Sequence, residues 1–106
     1  MLNQIILVGR LVQDPEIKEL GENKVSYITL AVSRSYKNSD GIYETDFITC
    51  KVGYPMCDSV KEYCKKGDIL GVKGRVQTKQ EEGKNIIEIV AEKVTFLSNR
   101  KETEEE

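Results

Sequence analysis

The sequence predicts an all-β fold, a five-stranded Greek-key barrel with one short α-helix between its third and fourth strands. Three observations carry this. Branched and aromatic residues alternate with polar ones at period two over 25–34, 43–52 and 69–79, the pattern of strands buried on one face. A single window, 55–66, changes to a helical period. A glycine, Gly9, interrupts the first aliphatic run, where a strand shared between two sheets of a small barrel must bend.

In chain order, QIILVGRLV at 4–12 is the first strand, and QDPE at 13–16 turns the chain through Asp14 and Pro15. Glu16 to Leu20 continues as a short strand, and GENK at 21–24 reverses it. Val25 to Arg34 is the second barrel strand, with Ile28, Leu30 and Val32 inward and Tyr27, Thr29, Ala31 and Ser33 outward. A turn at Asn38 to Gly41 follows, with Tyr36 and Lys37 on its leading arm.

The third strand, YETDFITCKV at 43–52, places Asp46, Ile48, Cys50 and Val52 on one side. Three of these four are apolar, so that side faces the core. Phe47 is then left outside, among Tyr43, Thr45, Thr49 and Lys51. An outward ring beside hydroxyls and a cation suits stacking on a nucleobase, and equally suits a ring covered by a loop or a neighbouring subunit.

After Gly53, Pro55 opens a helix over 55–66 whose apolar stripe is Met56, Val60, Tyr63 and Cys64, with Gly67 as its stop. Ile69 to Lys79 is the fourth strand. Its inner set is Leu70, Val72, Gly74, Val76 and Thr78, and its outer set is Lys73, Arg75, Gln77 and Lys79. Successive outer residues stand about 7 Å apart at ~3.3 Å rise per residue, a spacing that can follow a phosphate backbone; a solvated face would look the same. QEEGKN at 80–85 is a hairpin tip, and Ile86 to Leu97 closes the barrel. We therefore expect one barrel domain over 1–98 and a short, acidic, disordered tail over 99–106.

Composition limits the function. Of 16 basic and 18 acidic residues, one Lys and four Glu fall in 101–106, which leaves the first hundred residues at a net charge of +1. That excludes a whole-surface grip on phosphates and allows a local basic groove. There is no His, and Cys50, Cys57 and Cys64 recur at a seven-residue spacing that fits no zinc pattern. They are expected to be reduced, buried thiols, and no metal or cofactor is expected. No window approaches the ~20 apolar residues of a membrane span. The N-terminus shows no leader pattern, so the chain reads as cytoplasmic. Without a nucleophile paired to a base, or a phosphate-cradling glycine loop, it does not read as an enzyme.

The order of strands and helix is that of the oligonucleotide-binding (OB) barrel, whose second and third strands form its usual ligand face. In addition, NQIILVGRLVQDPE at 3–16, ITLAVSRSYKN at 28–38, DFITCKV at 46–52, EYCKKGDILGVKGRVQTK at 62–79 and IVAEKVTFL at 89–97 resemble, in order, the signature segments of the bacterial single-stranded DNA-binding protein family.

The resemblance implies a homotetramer that wraps single-stranded DNA without sequence preference and recruits replication and repair proteins through an acidic tip. It puts the family's stacking aromatics on Tyr36 and Phe47, and its groove cations on Arg34, Lys73, Arg75, Lys79 and, more loosely, Arg10. Two positions depart. Gly53 stands where relatives often carry an aromatic, with Tyr54 next to it, and Glu81 stands where some carry a hairpin aromatic. The tail ETEEE keeps the acidity but has no terminal aromatic.

The expected mechanism is stacking of bases on Phe47, Tyr36 and Tyr54, with Arg34, Lys51, Lys73, Arg75 and Lys79 neutralising phosphates. Lys37, Thr49 and Gln77 lie beside that path. Two other classes fit the same residues, an RNA binder and a barrel that serves as a protein-assembly module.

Overall fold

Six strands and one helix form in the order β1 (Ile5–Leu11), β2 (Ile17–Leu20), β3 (Asn23–Lys37), β4 (Tyr43–Gly53), α1 (Met56–Tyr63), β5 (Ile69–Glu81) and β6 (Lys84–Phe96). The structure is a computed structural model, and it describes residues 1–98. The tail expected over 99–106 lies outside the described residues. The sheet runs β1-β5-β6-β4-β3-β2, and a further β1 to β3 pairing closes five of the strands into a barrel. The short β2 pairs with β3 alone and widens the sheet on one side of the barrel. The helix lies between the third and fourth barrel strands, as the sequence predicts.

Closure depends on two glycines. β1 pairs with β5 along Ile5 to Arg10 and then meets β3 at Arg10 and Leu11. At that crossing a Cβ on Gly9 would lie 2.7 Å from the Ala31 carbonyl oxygen and 2.9 Å from Val32 Cγ2, so only glycine lets the strands approach. Gly74 sits where the β5 and β6 register shifts, and a Cβ there would meet the Val90 carbonyl. The barrel is completed by a two-residue parallel contact, Cys50 with Ile89 and Lys51 with Val90.

The core contains Leu11, Ile28, Leu30, Cys50, Val52, Leu70 and Val72, all at most 2% exposed. These are the inward positions of the alternating strands. Cys57, Val60 and Cys64 from the helix segment complete the core. All three cysteines are buried, and burial pushes the Cys50 thiol up to about 11, which leaves it protonated and unreactive. Among the described residues no helix is long and apolar enough to cross a membrane.

Three details differ from the sequence expectation. The helix stops at Tyr63, because the next amides find partners outside it: Lys65 N donates to Asp68 Oδ2, Lys66 N to Asp14 Oδ1 and Gly67 N to the Leu11 carbonyl. Tyr63 is exposed and packs its ring 6.1 Å from that of Phe96, and Cys57 takes the buried position. The β5–β6 hairpin is tighter than expected, since Glu82 and Gly83 both adopt positive φ and turn the chain in two residues.

Candidate nucleic-acid interface

Strand register decides which predicted residues share a face. On β3 and β4, Ala31 faces Phe47, Thr29 faces Thr49 and Tyr27 faces Lys51. Lys51 pairs with Val90 on β6, and Val90 pairs with Arg75 on β5. Residues directly paired across strands point to the same side. Phe47, Thr49 and Lys51 therefore share the outer surface of the barrel with Lys73, Arg75, Gln77 and Lys79. Arg10 joins them through its pairing with Ala31.

Phe47 is 69% exposed on this face. Its cross-strand neighbour is only an alanine, and Thr29 and Thr49 join hydroxyls at 2.8 Å beside it. The floor next to the ring is thus low and polar enough to admit a flat, hydrated ligand edge. Arg10 lies one strand further across, its Nη1 donating to the Gly67 carbonyl at 2.7 Å.

The cationic row is less free than the β5 sequence suggests. β6 sets carboxylates among its members, Glu92 3.3 Å from Arg75 and Glu88 3.3 Å from Lys79, and Glu81 at the end of β5 lies 3.6 Å from Lys79. Gln77 ties the two together, accepting from Arg75 and donating to Glu88. Burial opposes ionisation of Glu88, yet hydrogen bonds from Gln77 and Lys79 and the charge of Lys51 hold its carboxyl below the usual range. Lys51 and Lys73 have no ion pair among the described residues. Because Glu92 is half-exposed on the bulged stretch of β6, Glu92→Gln is expected to fold normally and to release Arg75. Oligo-dT affinity at low salt should rise, and the log–log salt slope should steepen by about 0.7, the increment for one more phosphate contact on a single strand. Titrations at several salt concentrations measure both.

Arg34 is placed differently from the expectation. Its Nε and Nη2 grip the two oxygens of Asp46 at 3.0 and 2.9 Å, and Nη1 reaches Glu44 at 2.8 Å. The Asp46 hydrogen bonds raise the guanidinium pKa further, and the same contact lowers that of Asp46. Asp46 pairs with Val32, so this cluster is on the side opposite Phe47. Tyr36 follows on the irregular stretch between Ser33 and Lys37, 65% exposed and within electrostatic reach of Arg34. It has no register partner among the strand pairs that set the Phe47 face. Lys37 returns to the Phe47 side and lies over Tyr43, its Nζ 5.7 Å from the ring centroid.

The sequence reading missed Tyr27, whose ring has Lys18 Nζ and Lys79 Nζ each 5.9 Å from its centroid. Its outward parity was visible, but the nearness of Lys18 and Lys79 depends on β2 and on barrel closure. Tyr54 is 62% exposed past the end of β4, with Lys24 Nζ 5.5 Å from its ring.

A sequence model described as the single-strand binding protein family matches residues 2–97. Among curated relatives, a "Single-stranded DNA-binding protein 3" of Listeria innocua is 43% identical over an alignment covering 94% of this chain and 66% of that protein. A "Single-stranded DNA-binding protein B" of Bacillus subtilis is 40% identical, with 92% of this chain and 91% of that protein covered. The chain spans just under two thirds of the Listeria protein and most of the Bacillus one. A solved structure described as a Plasmodium falciparum SSB complex with ssDNA superposes with a TM-score of 0.80 at 28% identity, covering 92% of this chain and 96% of that one.

Proposed function

The chain belongs to the single-strand binding protein family, and from that premise we propose that it binds single-stranded DNA without sequence preference on the outer face carrying Phe47. The observation that carries this is the shared face itself: an exposed ring, a low hydroxyl-lined floor and the Lys51, Lys73, Arg75 and Lys79 ammonium and guanidinium groups on one continuous surface. A base can stack on Phe47 whatever its identity, because every base has a π-face. Lys51 and Lys73 then displace condensed counterions from the phosphates, and phosphates displace the β6 carboxylates from Arg75 and Lys79. Arg34 stays in its carboxylate clamp and stiffens the β3–β4 arm.

The role assigned is binding and not catalysis, the protection of unpaired DNA in replication, recombination and repair, at the cytoplasmic nucleoid. A homo-oligomer accords with the apolar outer side of β1, where Ile6 and Val8 are 65% and 54% exposed.

Tyrosine fluorescence tests the reading, since the chain has five Tyr and no Trp. Oligo-dT is expected to quench the emission at low salt and to lose affinity steeply as salt rises. A duplex of equal length should bind far more weakly, its bases being already stacked and its grooves unread by any helix here. Equal affinity for duplex, or tighter binding of oligo-rU than of oligo-dT, would replace this function with another.

A further inference from the structure

Two lysines face each other on the outer surface. Lys93 of β6 is the direct antiparallel partner of Lys73 of β5, and both are exposed. Side chains paired in this way project to one side of the sheet from positions about 5 Å apart, where like charges cost stability. Nothing among the described residues offsets that cost. Neither ammonium group has an ion pair there, and Glu92, the acid next to Lys93 in the chain, is held by Arg75 at 3.3 Å. On its other side Lys73 meets Ile6 of β1, which is 65% exposed and uncharged. The register shift between Lys73 and Gly74 creates the juxtaposition. Continued from the hairpin, the register would set Glu92 opposite Lys73; the shift sets Lys93 there instead.

The pair also extends a line of cations. Lys73 stands two residues from Arg75 on the same face of β5, about 7 Å at ~3.3 Å per residue. Arg75 is joined through Val90 to Lys51 on β4. Lys51, Arg75 and the Lys73–Lys93 pair thus form a diagonal across β4, β6 and β5 toward β1. Resting on the binding function above, we infer that Lys93 and Lys73 together hold one phosphate of the bound strand, and that this stretch of the strand crosses β6 and β5 past Arg75 toward β1. Both ammonium groups donate to the one phosphate in charge-assisted bonds. Their mutual repulsion in the free protein is then offset by a shared anion.

Lys93→Gln separates this role from that of a solvated lysine. Removing one of two facing charges should leave the thermal midpoint unchanged or raise it, while oligo-dT affinity at about 50 mM salt falls roughly threefold, half the counterion release of one contact. The double variant Lys73→Gln, Lys93→Gln should lose one whole contact, about eightfold in affinity at that salt and about 0.7 in the log–log salt slope. Lys61→Gln removes a charge from the helix and should leave affinity unchanged. Undiminished affinity in Lys93→Gln, or an equal loss in Lys61→Gln, overturns the inference. So does a rise in midpoint with inorganic pyrophosphate at fixed ionic strength that Lys93→Gln abolishes, since the pair would then be a site for a free anion. Phe47→Ala in the same titrations separates the two readings. If it weakens binding where Lys93→Gln does not, the crossing toward β1 alone is wrong; if neither variant weakens binding, the proposed DNA face is wrong as well.

Discussion

Phe47→Ala is expected to weaken oligo-dT binding by about 1–3 kcal/mol, roughly five- to 150-fold, while leaving the thermal midpoint within a degree or two. The two halves of this result follow from one fact, the 69% exposure of the ring. A side chain so exposed contributes little to folding, because the apolar area it buries is small. The stacking energy it offers a base, by contrast, is lost in full on truncation. Phe47→Leu keeps the bulk and removes the π-face, and should recover only part of the affinity. If affinity falls together with stability, the ring is a packing residue; if neither changes, it is not a contact.

Gly74→Ala should do the reverse and destabilise the fold by about 3 kcal/mol or more, at the upper end of overpacking costs. The added carbon would press on the Val90 carbonyl and stand 3.1 Å from Ala91 Cα, both backbone atoms of the strand paired with it. Backbone cannot rotate away as a side chain can, so β5 and β6 would have to separate where the register shifts and Glu92 has no residue opposite it on β5. That would also displace Arg75 and Gln77, and binding should weaken with stability. Gly53→Ala is the control, with open space around it, and should change stability by no more than ~0.5 kcal/mol. Urea unfolding of the three proteins, with unchanged slope and shifted midpoint for Gly74→Ala, measures this.

The barrel was legible because its strands alternate cleanly. The parity of Ile28, Leu30, Cys50, Val52, Leu70 and Val72 identified the core, and the same parity put Phe47 and Arg75 outside. Properties that depend on pairing between distant strands were not legible. The β5 row reads as cationic along the chain, but Glu88 and Glu92 come from the neighbouring strand and pair with two of its three cations. Arg34 looks like a groove cation, and strand parity at Val32 would have placed it inward; only the structure shows its carboxylate partners. The helix end was misjudged for a related reason. Asp14, which draws the Lys66 amide away, is remote in sequence, and Asp68, which takes the Lys65 amide, lies just past the periodic stretch. The Lys18, Tyr27 and Lys79 grouping needs β2, β3 and β5 together, so no single-strand pattern reveals it.

Photo-crosslinking of bound oligo-dT, followed by peptide mapping, tests the proposed face most directly, because aromatic side chains are exposed on several sides of the barrel. Adducts are expected at Phe47, with Tyr54 or Tyr27 beyond it along the same surface. Adducts confined to Tyr36 beside the Arg34 clamp, or to the Tyr63 and Phe96 pair at the helix, would contradict the account and put the DNA elsewhere.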